Sequence, residues 1–300
     1  MRGGMGYQIT QVFNNSGIFT PSESKHEAKR EARLEGAQTW CDIGKSINIY
    51  AFSTAETYKD VWHQLGDHVR AEGLKDITKI TPEHIASYLS DRIEQGIAFP
   101  TYQKEASAIQ KFETALNRFS YSEKYNFQEA IRGAAREAQA SLTKNEISRS
   151  YSAPAILTAA VQNIDHKIAA KLQHEGGARI NEISLVKADQ LKGNGKIEVH
   201  GKGGKIRDIS VSKETYAAVS ARIAEKGEFR IDKEKYYSSL KAACAATSQA
   251  YQGSHGLRWS YAQESHLRHM ENGKTYEQAL STVSHEMGHE RSDITLHYLR

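Results

Sequence analysis

The sequence contains few cysteines, no long apolar run and no strong excess of either charge. Its two cysteines, Cys41 and Cys244, lie too far apart to form a CxxC or CxxCH motif, and we expect two reduced thiols. No apolar run reaches the roughly 18 residues that a membrane span needs. The first residues, Met1 to Met5, lack the apolar stretch of a signal peptide. These absences predict a cytoplasmic protein without membrane association.

The charge balance permits nucleic-acid binding without predicting it. The 300 residues include 40 Lys and Arg against 36 Asp and Glu, and the resulting formal charge is +4. The excess lies in residues 151–300, which also hold nine of the 13 histidines. So small an excess supports DNA binding only if the cations gather on one face. The length accommodates two domains of ordinary size, each with its own core.

The first half of the chain predicts a helical bundle behind a loose arm. We expect residues 1–21 to form a flexible arm, residues 22–142 the bundle and residues 143–153 a polar linker. Ser53 and Glu56 form the pattern of a capping box, and Pro82 suits the first turn of a helix. Apolar residues recur at helical spacing in between. The predicted helices cover residues 22–41, 53–73, 81–96, 101–119 and 127–142.

The second half predicts a larger domain of mixed α and β structure over residues 154–300. Residues 195–200 and 205–211 alternate apolar and polar side chains around the glycine-rich turn 201–204, a pattern typical of a β-hairpin. The predicted helices cover residues 154–175, 179–187, 213–224, 233–250, 256–270, 275–286 and 292–300. The predicted fold class is therefore mainly α, with an all-α first domain and a small β-sheet or hairpin in the second.

Several residues of the second half have the chemistry needed to hold a phosphodiester and attack it. When a protein nucleophile attacks a DNA phosphate, the energy of the broken phosphodiester bond is kept in a covalent bond between the protein and the phosphate. Guanidinium groups suit the charge that builds on the non-bridging oxygens, and the departing oxygen needs a proton donor. The candidates are Arg179, Lys202, His255, Arg258, His289 and Tyr298, with Glu182 near Arg179.

Taken one at a time, these residues also suit ordinary structural roles. Arg179 suits a surface ion pair with Glu182, and Lys205 or Arg207 competes with Lys202 for its role. Together they follow the order Arg-x-x-Glu, lysine in a β-turn, His-x-x-Arg, Gly-His and a tyrosine nine residues later. This order resembles the tyrosine recombinase (phage integrase) family. The resemblance covers the layout of residues 154–300 and extends to the first half only through the length and helicity of the family's DNA-clamping, core-binding domain.

The resemblance implies a site-specific DNA recombinase that needs no metal or other cofactor. It implies that Tyr298 attacks the scissile phosphate to form a 3′-phosphotyrosyl bond, while Lys202 protonates the leaving 5′ oxygen. The remaining implied roles are phosphate binding by Arg179, Arg258 and His289, proton transfer assisted by His255, and ordering of the site by Glu182. The implied partners are double-stranded DNA sites, a homotetramer on two sites formed through dimers, and accessory DNA-binding proteins. The outcome would be integration, excision or resolution of DNA elements.

Two departures from the family pattern stand near the end of the chain. The segment after His-x-x-Arg is commonly rich in threonine or phenylalanine in the family, whereas here it is Trp259-Ser260-Tyr261-Ala262. Family members commonly continue after the tyrosine with a helix that docks on a neighbouring protomer, whereas this sequence ends at Arg300. The first departure keeps the bulk of the family's residues but not their identity, and we expect the second to affect assembly and regulation more than phosphate chemistry.

Three other hypotheses fit parts of the sequence. Residues 285–289 spell HEMGH, the HExxH pattern of zinc proteases, but Gly288 favours a helix end there, and Ser292 and Thr295 replace the glycine and histidine of the metzincin extension. A helical DNA-binding regulator would bind DNA with strong salt dependence and form no covalent adduct. A type IB topoisomerase or a telomere resolvase would use the same residues for a different outcome.

Overall fold

The computed structural model describes residues 1–122, 124–144, 147–201, 204–289 and 291–300, without the side chains of Trp40 and Cys41. The chain divides into two units, Met1–Asn145 and Glu146–Arg300, and each unit has its own hydrophobic core. Within the described ranges, no helix combines the length and the apolar character needed to cross a membrane.

The first unit is helical. Its helices are α1 (Met5–Asn15), α2 (Lys25–Leu34), α3 (Trp40–Ser46), α4 (Phe52–Ala71), α5 (Pro82–Glu94), α6 (Phe99–Phe119) and α7 (Gln128–Ser141). The fully buried Trp62 indole donates a 2.8 Å hydrogen bond to the Ala108 carbonyl and packs on the Phe112 ring at a centroid distance of 4.9 Å. This contact joins α4 to α6 at the centre of the unit's core.

The predicted loose arm over residues 1–21 is wrong, because most of it is helix α1. Met5, Ile9 and Phe13 recur at helical spacing and are buried in the core of the first unit. The helix approaches α4 closely at Gly66, where a Cβ atom would lie 2.9 Å from Met5 Cγ. The first helix therefore contributes to the core of this unit.

Two predicted helices in the first unit also differ from the structure. The helix predicted over residues 22–41 is interrupted, because Gly36 takes a left-handed φ of +102°. Thr39 then begins α3 with a capping box, in which the Asp42 side chain accepts a 2.8 Å hydrogen bond from the Thr39 backbone N–H. The other difference is at α4, which begins at Phe52, so that Ser53 lies inside the helix and does not cap it.

The second unit combines helices with two small antiparallel sheets. Its helices are α8 (Pro154–Ala160), α9 (Ile164–Gly176), α10 (Ile180–Ile183), α11 (Lys213–Lys226), α12 (Lys233–Ala246), α13 (Ser254–Glu271), α14 (Tyr276–Glu286) and α15 (Ser292–Leu296), followed by a 3₁₀ turn over His297–Leu299. Its strands are β1 (Leu185–Lys187), β2 (Leu191–Gly193), β3 (Lys196–His200), β4 (Ile206–Ser210) and β5 (Glu228–Arg230). One sheet has the order β2-β3-β4 and the other pairs β1 with β5.

The predicted hairpin is confirmed by the pairing of β3 with β4, in which Val199 lies opposite Arg207. The helix predicted over residues 179–187 is wrong in its second part, because α10 ends at Ile183 and β1 follows. Val186 of β1 pairs with Phe229 of β5, and both side chains are buried. The fold class predicted from the sequence, mainly α with a small antiparallel sheet, is confirmed.

Part of the predicted linker over residues 143–153 packs on the second unit. The Tyr151 side chain is buried, its backbone N–H donates a 3.0 Å hydrogen bond to Ser260 Oγ, and its hydroxyl donates to the Gly253 carbonyl at 3.0 Å. These bonds attach the chain to the first turns of α13, the helix that carries the His-x-x-Arg motif.

Candidate active site

Arg179 and Glu182 form the start of the short helix α10. The Glu182 carboxylate accepts 2.8 Å hydrogen bonds from the backbone N–H and from Nη1 of Arg179. It also accepts a 2.7 Å bond from Nη2 of Arg207 on β4. Glu182 is buried, whereas 32% of the Arg179 side chain is exposed. One buried carboxylate therefore holds two guanidinium groups, and that of Arg179 stays accessible to a ligand.

Arg258 is a fully buried cation in the first turns of α13. Its guanidinium donates hydrogen bonds to the carbonyl oxygens of Gly177 and Met287 and to Nε2 of His289, the latter two at 2.6 and 3.0 Å. All three acceptors are neutral. Burial, and secondly the charge of Arg179, lowers the pKa of Arg258 to about 10, so it remains charged at neutral pH. The site therefore contains a rigid positive charge that its hydrogen-bond partners do not neutralise.

His289 follows the end of α14 and contacts this cation directly. Since a guanidinium can only donate, His289 Nε2 accepts the bond from Arg258, and the imidazole proton lies on Nδ1. Nδ1 then donates a 2.9 Å hydrogen bond to the buried Thr295 hydroxyl. Burial, followed by the nearby Arg258 charge, lowers the pKa of His289 to about 3. The ring is therefore neutral at physiological pH, and Thr295 sets its orientation.

Tyr298 lies in the 3₁₀ turn after α15, and its hydroxyl is 3.0 Å from Nε2 of His255. The tyrosine ring is buried, with 7% exposed, between the rings of Trp259 and His289 at centroid distances of 5.1 and 5.4 Å. The Arg258 guanidinium carbon lies 5.9 Å from its centroid. Burial, and secondly Arg258, lowers the pKa of His255 to about 4. A neutral imidazole therefore stands where it can accept the tyrosine proton.

The structure thus brings most of the predicted site residues together from distant parts of the second unit. His255, Arg258, His289 and Tyr298 form one network of hydrogen bonds and ring contacts. The Arg179 charge contributes to the lowered pKa values of both histidines, which places its electrostatic influence in the same site.

Lys202 lies outside the described residues, and its role stays a prediction. The hairpin turn beside it is described through Gly201, whose N–H donates a 2.6 Å hydrogen bond to the Lys205 carbonyl. A Cβ atom on Gly201 would lie 3.1 Å from Oε1 of Glu182. The hairpin therefore abuts the buried carboxylate at the residue that precedes Lys202.

The HEMGH segment does not have the geometry of a zinc-protease helix. α14 ends at Glu286, and Gly288 takes a left-handed φ of +68°, so His285 and His289 do not share a helical face. The Glu286 carboxylate already accepts hydrogen bonds from Tyr261, Ser265 and His269 at 2.8 to 3.0 Å. Across the parts of the chain that the structure describes, no three His, Cys, Asp or Glu side chains are grouped to hold a metal ion.

Two residues contribute to the site although the sequence did not predict these contributions. Thr295 is fully buried and orients His289, and Arg207, considered only as a competitor of Lys202, contacts Glu182. A local signal for Arg207 does exist. It stands two residues before the buried Ile209, so the two side chains share the inward face of β4.

Comparison with known proteins shows that the chain has a known fold. No family model matches the sequence, and a comparison with curated proteins also found no match. Solved structures with a similar fold include tyrosine recombinases, and they confirm the predicted resemblance at the level of the fold.

One such structure is the XerH site-specific recombinase bound to palindromic difH substrate in a post-cleavage complex. Its TM-score is 0.67 at 14% identity, over 99% of this chain and 91% of that chain. A second is the Tn1549 transposon integrase in complex with transposon right end DNA. Its TM-score is 0.58 at 13% identity, over 93% of this chain and 95% of that chain. The chain therefore shares the fold over nearly its whole length.

Proposed function

We propose that this chain is a site-specific DNA recombinase that cleaves and rejoins DNA strands through a covalent bond between Tyr298 and a 3′ phosphate. One observation carries the proposal: the Tyr298 hydroxyl is hydrogen-bonded to a neutral histidine beside Arg258, a buried cation with neutral hydrogen-bond partners. A buried charge without a counter-charge is costly, and a bound anion offsets that cost. A singly charged phosphodiester is an anion that an adjacent tyrosine can attack.

In the proposed reaction the Tyr298 oxygen bonds to phosphorus as its proton passes to Nε2 of His255. Arg258 has five N–H groups, and three of them donate to Gly177, Met287 and His289. The positive charges of Arg258 and Arg179 stabilise the charge that builds on the non-bridging oxygens. The bond to the 5′ oxygen breaks, and Lys202 donates a proton to that oxygen. Rejoining reverses these steps.

The finer parts of the proposal concern partners and outcome. The chain would act on double-stranded DNA as a homotetramer on two sites, assembled through dimers and aided by accessory DNA-binding proteins, in the cytoplasm. The first unit would be the core-binding domain and the second the catalytic domain. Support comes from the solved structures of similar fold, which include a recombinase and an integrase bound to DNA. Integration, excision and resolution of DNA elements are the proposed outcomes.

The experiment that tests the proposal captures the target. The protein is incubated with a randomised duplex library, and DNA that remains attached under denaturing conditions is sequenced. We expect a defined sequence joined through a 3′ phosphate to Tyr298. Tyr298→Phe should abolish this adduct and keep the DNA affinity, because the ring and its packing remain. Tyr276→Phe, which alters a half-exposed tyrosine on α14, is the matched control and should react normally.

Two results would contradict the proposal. Binding of duplex DNA by the wild-type protein without any adduct would indicate a regulator instead of an enzyme. An undiminished adduct with Tyr298→Phe would mean that another residue is the nucleophile. Strand exchange between two captured sites, as opposed to relaxation of a supercoiled circle without exchange, separates a recombinase from a topoisomerase with the same chemistry.

A further inference from the structure

Three side chains on one face of α13 hold Tyr298. His255, Trp259 and Gln263 follow one another at intervals of four residues, so they share a helical face. His255 Nε2 lies 3.0 Å from the Tyr298 hydroxyl, and the Trp259 ring packs on the tyrosine ring at a centroid distance of 5.1 Å. Gln263 Nε2 donates a 3.0 Å hydrogen bond to the Tyr298 carbonyl oxygen. This face therefore contacts the hydroxyl, the ring and the backbone of the same residue.

The Gln263 amide joins two other segments of the chain to α13. Its Nε2 lies 3.0 Å from the carbonyl oxygens of Tyr298 and Arg300, and also 3.0 Å from Oγ of Ser148. Because carbonyl oxygens can only accept, the group that faces them must be the NH₂ end of the amide. That end has two hydrogens for three acceptors, so at least one hydrogen is shared. The amide thus holds the turn after α15 and Ser148 together.

The segment that contains Ser148 is itself seated on α13. The Tyr151 N–H donates its 3.0 Å hydrogen bond to Ser260 Oγ, one turn before Gln263. A Cβ atom on Gly256 would lie 2.7 Å from the Arg149 carbonyl oxygen, so the backbone of the segment runs directly against the helix. Ser148 therefore has a defined position from which it can anchor the Gln263 amide.

The same helix carries Arg258, the buried cation of the site. Attack requires the tyrosine oxygen to lie about 3–3.5 Å from phosphorus and in line with the leaving oxygen. A ring held only by its faces and its hydroxyl can tilt with the turn that carries it, whereas a hydrogen bond to the Tyr298 carbonyl fixes the turn itself. Gln263 thus relates the position of the nucleophile to that of the cation through one helix.

We propose that Gln263 is a positioning residue that fixes the turn of Tyr298 on the helix of Arg258, with Ser148 as its anchor. This inference rests on the proposed function, since it assigns Gln263 a part in the same reaction. A primary amide suits the task because its two N–H groups can reach acceptors in two segments at once. Methionine has a similar length but no donor, and glutamate has the same shape but, when ionised, can only accept.

The first measurement is the single-turnover rate of adduct formation on the captured DNA site. A misplacement of about 1 Å costs roughly 10²-fold, and we expect Gln263→Met to lose between about 10-fold and that value, because His255 and Trp259 still hold the ring. Its DNA affinity should be little changed. Gln263→Glu should be slower than Gln263→Met, because its carboxylate faces carbonyl oxygens. Gln162→Met removes an amide that donates to the Ala160 carbonyl at the end of α8, and this matched control should react normally.

Ser148→Ala tests the anchor. It removes one acceptor of the Gln263 amide, so it should slow adduct formation less than Gln263→Met does. Because Ser148 acts through the amide, the double variant should be no slower than Gln263→Met alone. Losses that multiply in the double variant would mean that Ser148 acts independently, and they would contradict its assignment as the anchor.

The second measurement separates placement of the nucleophile from binding of the phosphate. The substrate is DNA whose 3′ phosphate is esterified to p-nitrophenol; a 5′ hydroxyl strand attacks phosphorus and p-nitrophenolate leaves, so the Tyr298 hydroxyl takes no part. In a Tyr298→Ala background, which leaves space for the nitrophenyl ring, adding Gln263→Met should not change this rate. Adding Arg179→Ala should lower it, because the non-bridging oxygens still need the positive charge. If Gln263→Met fails to fold, as shown by thermal melting, the shorter amide of Gln263→Asn takes its place in both measurements.

Two results would overturn the inference while leaving the proposed function intact. One is a normal rate of adduct formation for Gln263→Met. The other is an equal loss for that substitution in adduct formation and in the release of p-nitrophenolate, which would place the defect in phosphate binding or in the fold. A wild-type protein that forms no adduct with DNA refutes the proposed function, and this inference falls with it.

Discussion

Gly177 has a backbone conformation that favours glycine, and it also contacts the buried Arg258 guanidinium. Its replacement therefore offers a quantitative test of the site. The residue ends α9 with a left-handed φ of +58°, and its carbonyl accepts a hydrogen bond from Arg258. The Tyr261 ring covers its Cα, so that a Cβ atom would lie 2.6 Å from Tyr261 Cε1. Gly177→Ala should therefore strain the backbone, displace the ring and disturb the acceptor that holds Arg258.

The expected loss of stability has two parts. A non-glycine residue in the left-handed region costs about 1–2 kcal/mol. Forcing a methyl group against a packed ring costs about 1–3 kcal/mol more. Tyr261 cannot easily swing away, since it is 8% exposed and its hydroxyl is bonded to Glu286. The total for Gly177→Ala is then about 2–5 kcal/mol.

Gly227→Ala provides a matched control. Gly227 also ends a helix, α11, with a left-handed φ of +81°, but nothing lies within 4 Å of the position of its Cβ. Its replacement should cost only the backbone strain of about 1–2 kcal/mol. The difference between the two variants isolates the contact between Gly177 and the Tyr261 ring.

The assay is urea-dependent hydrogen exchange of the amides in α13, which reports the free energy of unfolding of the second unit. Gly177→Ala should lower this free energy of unfolding by about 1–3 kcal/mol more than Gly227→Ala does. It should also slow adduct formation on the order of 10-fold or more, because Arg258 loses its placement, whereas the control should react normally. Equal destabilisation by the two variants would refute the close packing of Tyr261 on Gly177.

Two further predictions concern pH. The folded pKa values of His255 and His289, about 4 and about 3, lie below the unfolded value of 6.5, so the unfolded chain binds more protons and stability falls as pH drops below about 6.5. Allowing for partial exposure of the two rings, we expect the free energy of unfolding of the second unit to fall by about 2 kcal/mol between pH 7 and 5. Urea titrations measure this loss, and a His255→Gln/His289→Gln double variant should lack most of it. The same loss in the double variant would contradict the prediction. In the first unit, burial lowers the pKa of Lys111 to about 7, and its ammonium donates a hydrogen bond to the Ile47 carbonyl. Lys111→Met should therefore stabilise that unit by about 2 kcal/mol at pH 6. The advantage should shrink as the pH rises from 7 towards 10, because the wild type gains stability over that range. A difference in thermal unfolding that does not change with pH would argue against this prediction.

The parts of the fold that depend on local pattern could be predicted. The hairpin follows from its alternating side chains around a glycine-rich turn, and α5 follows from Pro82 at its first turn. Met5, Ile9 and Phe13 recur every four residues, a local pattern that favours helix α1 over the predicted arm. The strand after α10 had no such signal, because its partner β5 lies far along the chain.

The candidate site shows the same division. The sequence contains the residue types and their order, from Arg179 to Tyr298. The distances between these side chains in space depend on how α9, α10, α13 and α15 pack. The protonation state of His289 depends on its burial and on the hydrogen bond from Arg258. Neither can be deduced from the spacing of residues along the chain. The contact between Arg207 and Glu182 also became visible only in the tertiary structure.

The amino-acid sequence by itself determined most of the helices, the hairpin and the supply of arginines, histidines and a late tyrosine, because periodicity, turn chemistry and side-chain type act between near neighbours. Only the tertiary structure decided that Arg258 is buried among neutral acceptors, that His255 touches the Tyr298 hydroxyl, and that Arg207 ties the hairpin to Glu182. The physical reason is that burial and electrostatic environment are set by segments distant in the chain, whose packing no local pattern specifies.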